Sequence, residues 1–281
     1  MPVIHKYFRK YKKYPHVWCA GCTNGIILHS LVRAIDDLHF NRDEVVFVSG
    51  IGCSSRAPVY VDFNTLHTTH GRAIPFATGV KVANPKLKVF VLTGDGDALA
   101  IGGNHFIHTC RRNIDITIVV FNNFIYGMTG GQRSPTTPFG AISTTTPYGC
   151  PDHPFDICDL AIAAGATFVA RCTSFHVRVL DNIFEKAVNH RGISVVEVVT
   201  TCPTLYGRLN KKGNAVDMLL YQKTNAITVE DWEMLPTLLE KEKAKQEKIL
   251  IGVLHKIRKP EYIQELESFT KRALEEQNKN E

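Results

Sequence analysis

The chain has 281 residues, of which 44% are hydrophobic and 21% charged. That is enough apolar material for one large domain or two ordinary ones, and it excludes wholesale disorder. Lys and Arg total 33 against 27 Asp and Glu, a net charge of +6 that suits an anionic cofactor or acidic partner but is too small to argue for nucleic acid.

No apolar run approaches the roughly 20 residues of a membrane helix. The start, MPVIHKYFRKYKKYP, carries charge but no apolar h-region. The expectation is a cytoplasmic chain with no membrane contact. Eight cysteines in a reducing compartment point to metal ligation or plain burial rather than to disulfides.

In chain order, residues 1–16 form a basic, aromatic arm. Asn24 is placed to cap a helix whose apolar positions Ile27, Leu31, Ile35 and Leu38 recur at helical spacing. Short β-branched runs then read as strands at 45–49, 88–92, 116–121, 167–171 and 194–199. Helices are expected at about 98–112, at 156–165 with Asp156 as cap, and at 176–190. Near-continuous apolar strands alternating with helices predict an α/β domain over 17–204, a parallel sheet with helices on both faces. Residues 127–155, rich in Gly, Thr, Ser and Pro, form a loop of a length that is usually functional. The extension 205–281 reads as mostly helical, with 228–281 as packing or subunit-contact material.

Gly94-Asp95-Gly96-Asp97 follows a strand, and Asn122-Asn123 closes the next one. Both sit at the carboxyl ends of parallel strands, where open sheets bind ligands. The glycines let backbone N–H groups approach a diphosphate, and the following helix start adds favourable partial charge. Asp95 and the Asn123 side-chain oxygen are hard donors suited to Mg²⁺. A bare strand-to-helix turn is the bland reading of GDG alone, and the pairing with the two asparagines is more specific.

Cys19 and Cys22 form a C-x-x-C at a helix start, Cys53 lies just past the first strand and Cys202 just past the last. A single C-x-x-C is ambiguous between zinc, redox and iron–sulfur chemistry, but four loop cysteines could converge on one cluster. Cys110, Cys150, Cys158 and Cys172 read as buried side chains.

These stretches resemble a known family. GDG followed by an Asn pair is similar to the thiamine diphosphate-binding motif. From about Trp18 to Arg208, the chain looks like the β subunit of a 2-oxoacid:ferredoxin oxidoreductase. The resemblance rests on WCAGCTNG, SGIGCSSR, HGRAIPFATGVK, TGDGDALAIGGNHFIHTCRRN, FNNFIYGMTGGQ with SPTT, and CPT. It implies a thiamine diphosphate-binding fold with Gly94, Asp95, Gly96, Asp97 and His70 about the cofactor. Asp95, Asn123 and the Ile125 carbonyl would bind Mg²⁺, and Asp97 would be a supporting group. Cys19, Cys22, Cys53 and Cys202 would hold a 4Fe–4S cluster, although Ala20 and Thr23 depart from the family's usual CPGCG. His70 would contact diphosphate or substrate, where the alternative is a hydrogen-bonded turn histidine. His105 and His108 read as helix-packing residues.

Thr129 and Gly130 would border the substrate. A Lys often stands at the Gly130 position in relatives that act on pyruvate or a broad range of 2-oxoacids, so the glycine resembles the 2-oxoglutarate enzymes. Arg133 is a candidate partner for the second carboxylate, as is a group from the partner subunit. The implied reaction is oxidative decarboxylation of 2-oxoglutarate with coenzyme A to succinyl-CoA and CO₂, electrons passing to ferredoxin. The activating glutamate and coenzyme A binding are expected on an α subunit. Lys6 to Lys13 could steer an acidic ferredoxin, the blander reading being a solvated terminus with packed aromatics. Alternatives are a sister substrate such as pyruvate, a non-redox thiamine-dependent decarboxylase or carboligase with structural zinc, and a zinc-bearing binding module.

Overall fold

The structure, a computed structural model, describes residues 3–11 and 15–280. Eight strands form one sheet: β1 (Val45–Ser49), β2 (Asn64–His67), β3 (Lys88–Gly94), β4 (Thr117–Asn122), β7 (Phe168–Thr173), β8 (Ser194–Val199), β9 (Ala226–Thr228) and β10 (Ile249–Lys256). The order is β2-β1-β3-β4-β8-β7-β10-β9. All neighbours are parallel except β10, which runs antiparallel to β7. A two-stranded hairpin, β5 (Ile125–Tyr126) with β6 (Gln132–Arg133), stands apart from it.

The central strands β1, β4 and β8 are buried at every position. Their unbroken apolar runs are what a sheet covered on both faces requires. One face packs on α1 (Asn24–Asp37), through Ile27, Leu31 and Ile35, and on α5 (Val177–Val188), through Leu180, Ile183 and Phe184. The other packs on α2 (Ala73–Ala83), α3 (Gly103–Arg112) and α4 (Ile157–Ala163), with Ile74, Phe106 and Ile157 in a second apolar core.

The five expected strands are all present, within two or three residues. Asp156 caps α4 as expected, its side chain accepting from the Asp159 N–H. The capping position of α1 is Thr23, not Asn24. Asn24 is the first helical residue, buried, and its side-chain oxygen accepts from the Thr200 hydroxyl at 3.1 Å. Thr23 caps nothing, because its hydroxyl pairs with Thr200 at 2.7 Å and ties the helix start to the end of β8. The stretch expected at 98–112 begins as a π-turn, Asp97–Ile101, before α3 proper.

The extension is mostly helical, in α6 (Ala215–Asn225), α7 (Val229–Glu233), α8 (Leu238–Glu247) and α9 (Tyr262–Asn280). Within it, Ile249–Lys256 is a strand, not part of a helix as read over 228–281. Helical character stops at Lys248, which is extended. The apolar run ILIGVLHK then satisfies the open edge of β7, a tertiary demand that periodicity does not carry.

The described part of the arm is packed down. Ile4 and Tyr7 are buried, the Tyr7 hydroxyl donates to Asp36 at 2.8 Å, and Lys6 pairs with the same carboxylate at 3.2 Å. Arg9 donates to the Val61 carbonyl at 2.7 Å. Lys12, Lys13 and Tyr14 lie outside the described residues. Among those described, no helix is long and apolar enough to cross a membrane.

Candidate active site

The carboxyl ends of β1, β3 and β4 open on a cavity of about 390 Å³. Asp95, Gly96, Asp97, Asn123, Ile125 and His70 all line it. Asp95 is 3% exposed. One of its oxygens accepts from the Ser134 and Thr136 hydroxyls, both at 2.6 Å. Burial still pushes its carboxyl up to about 6, and no Lys or Arg lines the cavity among the described residues. A buried carboxylate with hydroxyl donors but no cation suits a dication in the space before it.

Asp97 is equally buried, but its oxygens are taken. One accepts from His70 Nδ1 at 2.6 Å, the Gly71 N–H at 2.7 Å and the Ile51 N–H at 3.3 Å, and the other from the Thr93 hydroxyl at 2.9 Å. Asp97 therefore locks three loops together and orients the His70 ring. Gly96 lies against Tyr126, whose hydroxyl donates to the Gly96 carbonyl at 3.0 Å.

The turn after β4 presents the other oxygen donors. Phe124 has φ +65°, a left-handed conformation uncommon outside glycine. Asn122 accepts from the Phe124 N–H at 3.2 Å, Asn123 from the Ile125 N–H at 3.2 Å, and Thr137 donates to the Phe124 carbonyl at 2.6 Å. The turn sets Asn123 and Ile125 at the cavity wall beside Asp95.

The four loop cysteines come together at the same end of the sheet, all as free thiols. Cys53 and Cys202 both face Gly127: a Cβ built there would lie 3.4 Å and 3.8 Å from their sulfurs. Trp18 ties the two leading loops by donating to the Cys53 carbonyl at 2.7 Å, and Thr201 ties the third by donating to the Gly21 carbonyl at 3.0 Å. Burial raises the Cys22 thiol to about 12 and Cys53 to about 11, with the neighbouring cysteines adding to both. A tetrahedral zinc site needs sulfurs about 3.8 Å apart, given Zn–S bonds of about 2.3 Å. No three of these sulfurs lie within 4.8 Å of one another, among the described residues. Four loop thiols gathered at one end of the sheet are a donor set that fits an iron–sulfur cluster. Cys19 is the exposed member. Ser54, in the Cys53 loop, lines the cavity with a buried hydroxyl that has no hydrogen-bond partner among the described residues, a polar group open to a ligand.

Comparisons with known proteins match the α/β domain that carries this pocket. Residues 50–198 match the family described as thiamine pyrophosphate enzyme, C-terminal TPP binding domain. The chain is 48% identical over 261 residues to the 2-oxoglutarate synthase subunit KorB of Methanocaldococcus jannaschii, covering 93% of this chain and 94% of that protein. The chain belongs to the 2-oxoacid:ferredoxin oxidoreductase β-subunit family. The Archaeoglobus fulgidus KorB is 57% identical over 211 residues, covering 75% of this chain and 77% of that one. A 2-oxoglutarate:ferredoxin oxidoreductase from Magnetococcus marinus, solved with 2-oxoglutarate, coenzyme A and succinyl-CoA bound, superposes with a TM-score of 0.84 at 34% identity. It covers 96% of this chain and 90% of that chain. The family and the thiamine diphosphate-binding fold expected from the sequence are borne out.

Other features of this β subunit depart from a sequence-only picture. Thr129 lines the cavity and is bridged to Gln132, its hydroxyl donating to the Gln132 side chain at 2.6 Å. Gly130 sits on the hairpin rim with φ +114°, and a Cβ there would meet nothing nearer than Gln132 at 3.9 Å. Arg133 does not reach the cavity. It pairs with Asp152 and lines a separate pocket. His105 packs beside Arg72 at 3.0 Å, a helix-surface contact. Cys110, Cys150, Cys158 and Cys172 are buried as expected. The Ser134 and Thr136 clamp on Asp95 has its only sequence trace in the SPTT stretch, where nothing local assigns the hydroxyls a partner.

Proposed function

We propose that this chain is the β subunit of an enzyme that converts 2-oxoglutarate and coenzyme A to succinyl-CoA and CO₂, passing two electrons to ferredoxin. The carrying observation is that one cavity holds the Asp95–Asn123 donors and Cys53 together, with Gly127 lying between Asn123 and the Cys53 and Cys202 sulfurs. Asp95, Asn123 and the Ile125 carbonyl would hold Mg²⁺ against the diphosphate, and Cys19, Cys22, Cys53 and Cys202 a 4Fe–4S cluster. When bound, thiamine diphosphate supplies the electron sink for decarboxylation and the cluster accepts electrons singly.

The chain's own residues do the rest. Gly94 and Gly96 let the backbone approach the diphosphate. Asp97 holds His70 with its ring at the cavity wall, where the imidazole can hydrogen-bond substrate or diphosphate. Burial of Asp95 keeps its partner ion out of bulk water, where charge interactions are weaker. The open rim at Gly130 leaves room for a longer acid. The distal carboxylate of 2-oxoglutarate needs a cation, and with Arg133 committed to Asp152 that group comes from the α subunit, which also brings the activating glutamate and the coenzyme A site.

The test is an anaerobic visible spectrum with iron and zinc analysis of the chain co-expressed with its α subunit. A brown chromophore bleached by dithionite, about four irons per chain and turnover of 2-oxoglutarate above pyruvate are expected. Colourless protein with stoichiometric zinc would overturn the electron-transfer step.

A further inference from the structure

One buried polar cluster has no part in the reading above. Glu197 is the single charged residue of the strand SVVEVV and is 3% exposed. Arg171 lies opposite it in register on β7, and its Nε donates to Glu197 at 2.7 Å. The same guanidinium donates to both Asp156 oxygens at 2.7 Å. The Cys158 thiol donates to Glu197 at 3.3 Å. Asp156, Cys158 and Glu197 bring ligand atoms within 4.8 Å of one another. Arg171 already donates to both carboxylates, so its guanidinium takes the place a cation would fill.

The other Glu197 oxygen accepts from Asn122 Nδ2 at 2.8 Å. A carboxylate only accepts, so Asn122 must turn its NH₂ towards β8 and its oxygen towards the turn. That oxygen accepts from the Phe124 N–H and lies 3.0 Å from the Thr136 hydroxyl, which also reaches Asp95. A continuous chain of polar contacts thus runs from Arg171 through Glu197, Asn122 and Thr136 to Asp95. A purely structural element would gain as much from apolar packing as from a buried ion pair.

The geometry points to Glu197 as a positioning residue for the reaction: by setting the Asn122 amide it holds the left-handed turn that presents Asn123 and the Ile125 carbonyl. This rests on the metal-site reading proposed above. Glu197→Gln keeps the shape but lets the pair of amides invert, which would turn an NH₂ group onto the Phe124 N–H.

The experiment titrates thiamine diphosphate, with Mg²⁺, into the complex of this chain and its α subunit by calorimetry. Glu197→Gln is expected to raise the Kd at least fivefold while iron content and visible spectrum stay wild type. Asn122→Ala is expected to raise it too, and the double variant to bind no worse than Asn122→Ala alone. A change below fivefold for Glu197→Gln, or effects that multiply in the double variant, would overturn the inference. Asp95→Asn runs alongside. If it binds like wild type, the metal-site reading fails and takes the inference with it. If it alone loses binding, only the positioning role of Glu197 is wrong. Should Glu197→Gln yield no soluble complex, Glu197→Leu with Arg171→Met removes both charges together and is judged by the same two results.

Discussion

Asp95 and Asp97 are two residues apart and equally buried, yet their neighbours give them different tasks. Asp97 meets N–H and hydroxyl donors from four separate residues and has nothing left to offer a ligand. Asp95 meets two hydroxyls and no cation, and its raised pKa is the cost of that burial. Thiamine diphosphate binding should accordingly depend strictly on the metal. With EDTA in excess, the affinity measured by calorimetry should fall at least 100-fold, since among the described residues no lysine or arginine lines the cavity to replace the ion. Gly96 carries a second expectation. A Cβ there would lie 2.4 Å from the Tyr126 ring, and Tyr126 is half-buried with its hydroxyl bound. Gly96→Ala should force the ring aside, costing about 1–3 kcal/mol of stability by overpacking and weakening cofactor binding, read by a thermal melt and a titration on the same sample.

At the scale of elements, β10 shows how the extension joins the domain. It runs antiparallel on β7, so the chain after Cys202 completes the sheet rather than forming a separate unit. The connection between α5 and β8 holds a pH-sensitive packing point. His190 is 9% exposed, with its Nε2 2.8 Å from the Thr167 hydroxyl. Burial first, and then Lys256, depress its pKa below 6.5. The folded state therefore binds fewer protons than the unfolded one around this range. The His190 contribution is fully present above the unfolded value of 6.5 and is lost as pH falls through the depressed folded value. His190→Gln should make the fall in Tm between pH 7.5 and 5.5 shallower than in the wild type, as followed by calorimetry.

At the scale of the whole molecule, the proposed function makes this site one wall of a larger one. The cavity is lined by the Asp95 and Asp97 carboxylates, the His70 imidazole, hydroxyl and amide side chains such as Ser54 and Asn123, and apolar residues such as Ile51 and Met128, with Cys53 among them. Among the described residues it is lined by no glutamate that could activate the aminopyrimidine and by no Lys or Arg for the distal carboxylate. The isolated chain should retain iron yet give no 2-oxoglutarate-dependent reduction of a viologen dye. Adding the α subunit should restore it. Turnover by the β subunit alone would show that the missing groups are elsewhere in this chain.

How much of this was legible in the sequence depends on the range of the cause. Strands β1, β3, β4, β7 and β8 were readable because burial on both faces writes an unbroken apolar run into the chain itself. The GDG and NN stretches and the four loop cysteines stood out because the diphosphate and metal binding proposed for this chain calls for those residue types at strand ends, and the structure brings GDG, Asn123 and Cys53 to one cavity. β10 was not, since an eight-residue apolar run serves a helix or a strand and only the open edge of β7 chose between them. Nor was the division between Asp95 and Asp97, the commitment of Arg133 to Asp152, or the path from Glu197 to Asn122. Each depends on partners up to 75 residues away along the chain. Residue types and local periodicity thus determined five of the eight strands and the donor types at their ends. Tertiary structure decided which acid is satisfied and which stays open for a ligand, because a buried group's role is set by the donors packed around it.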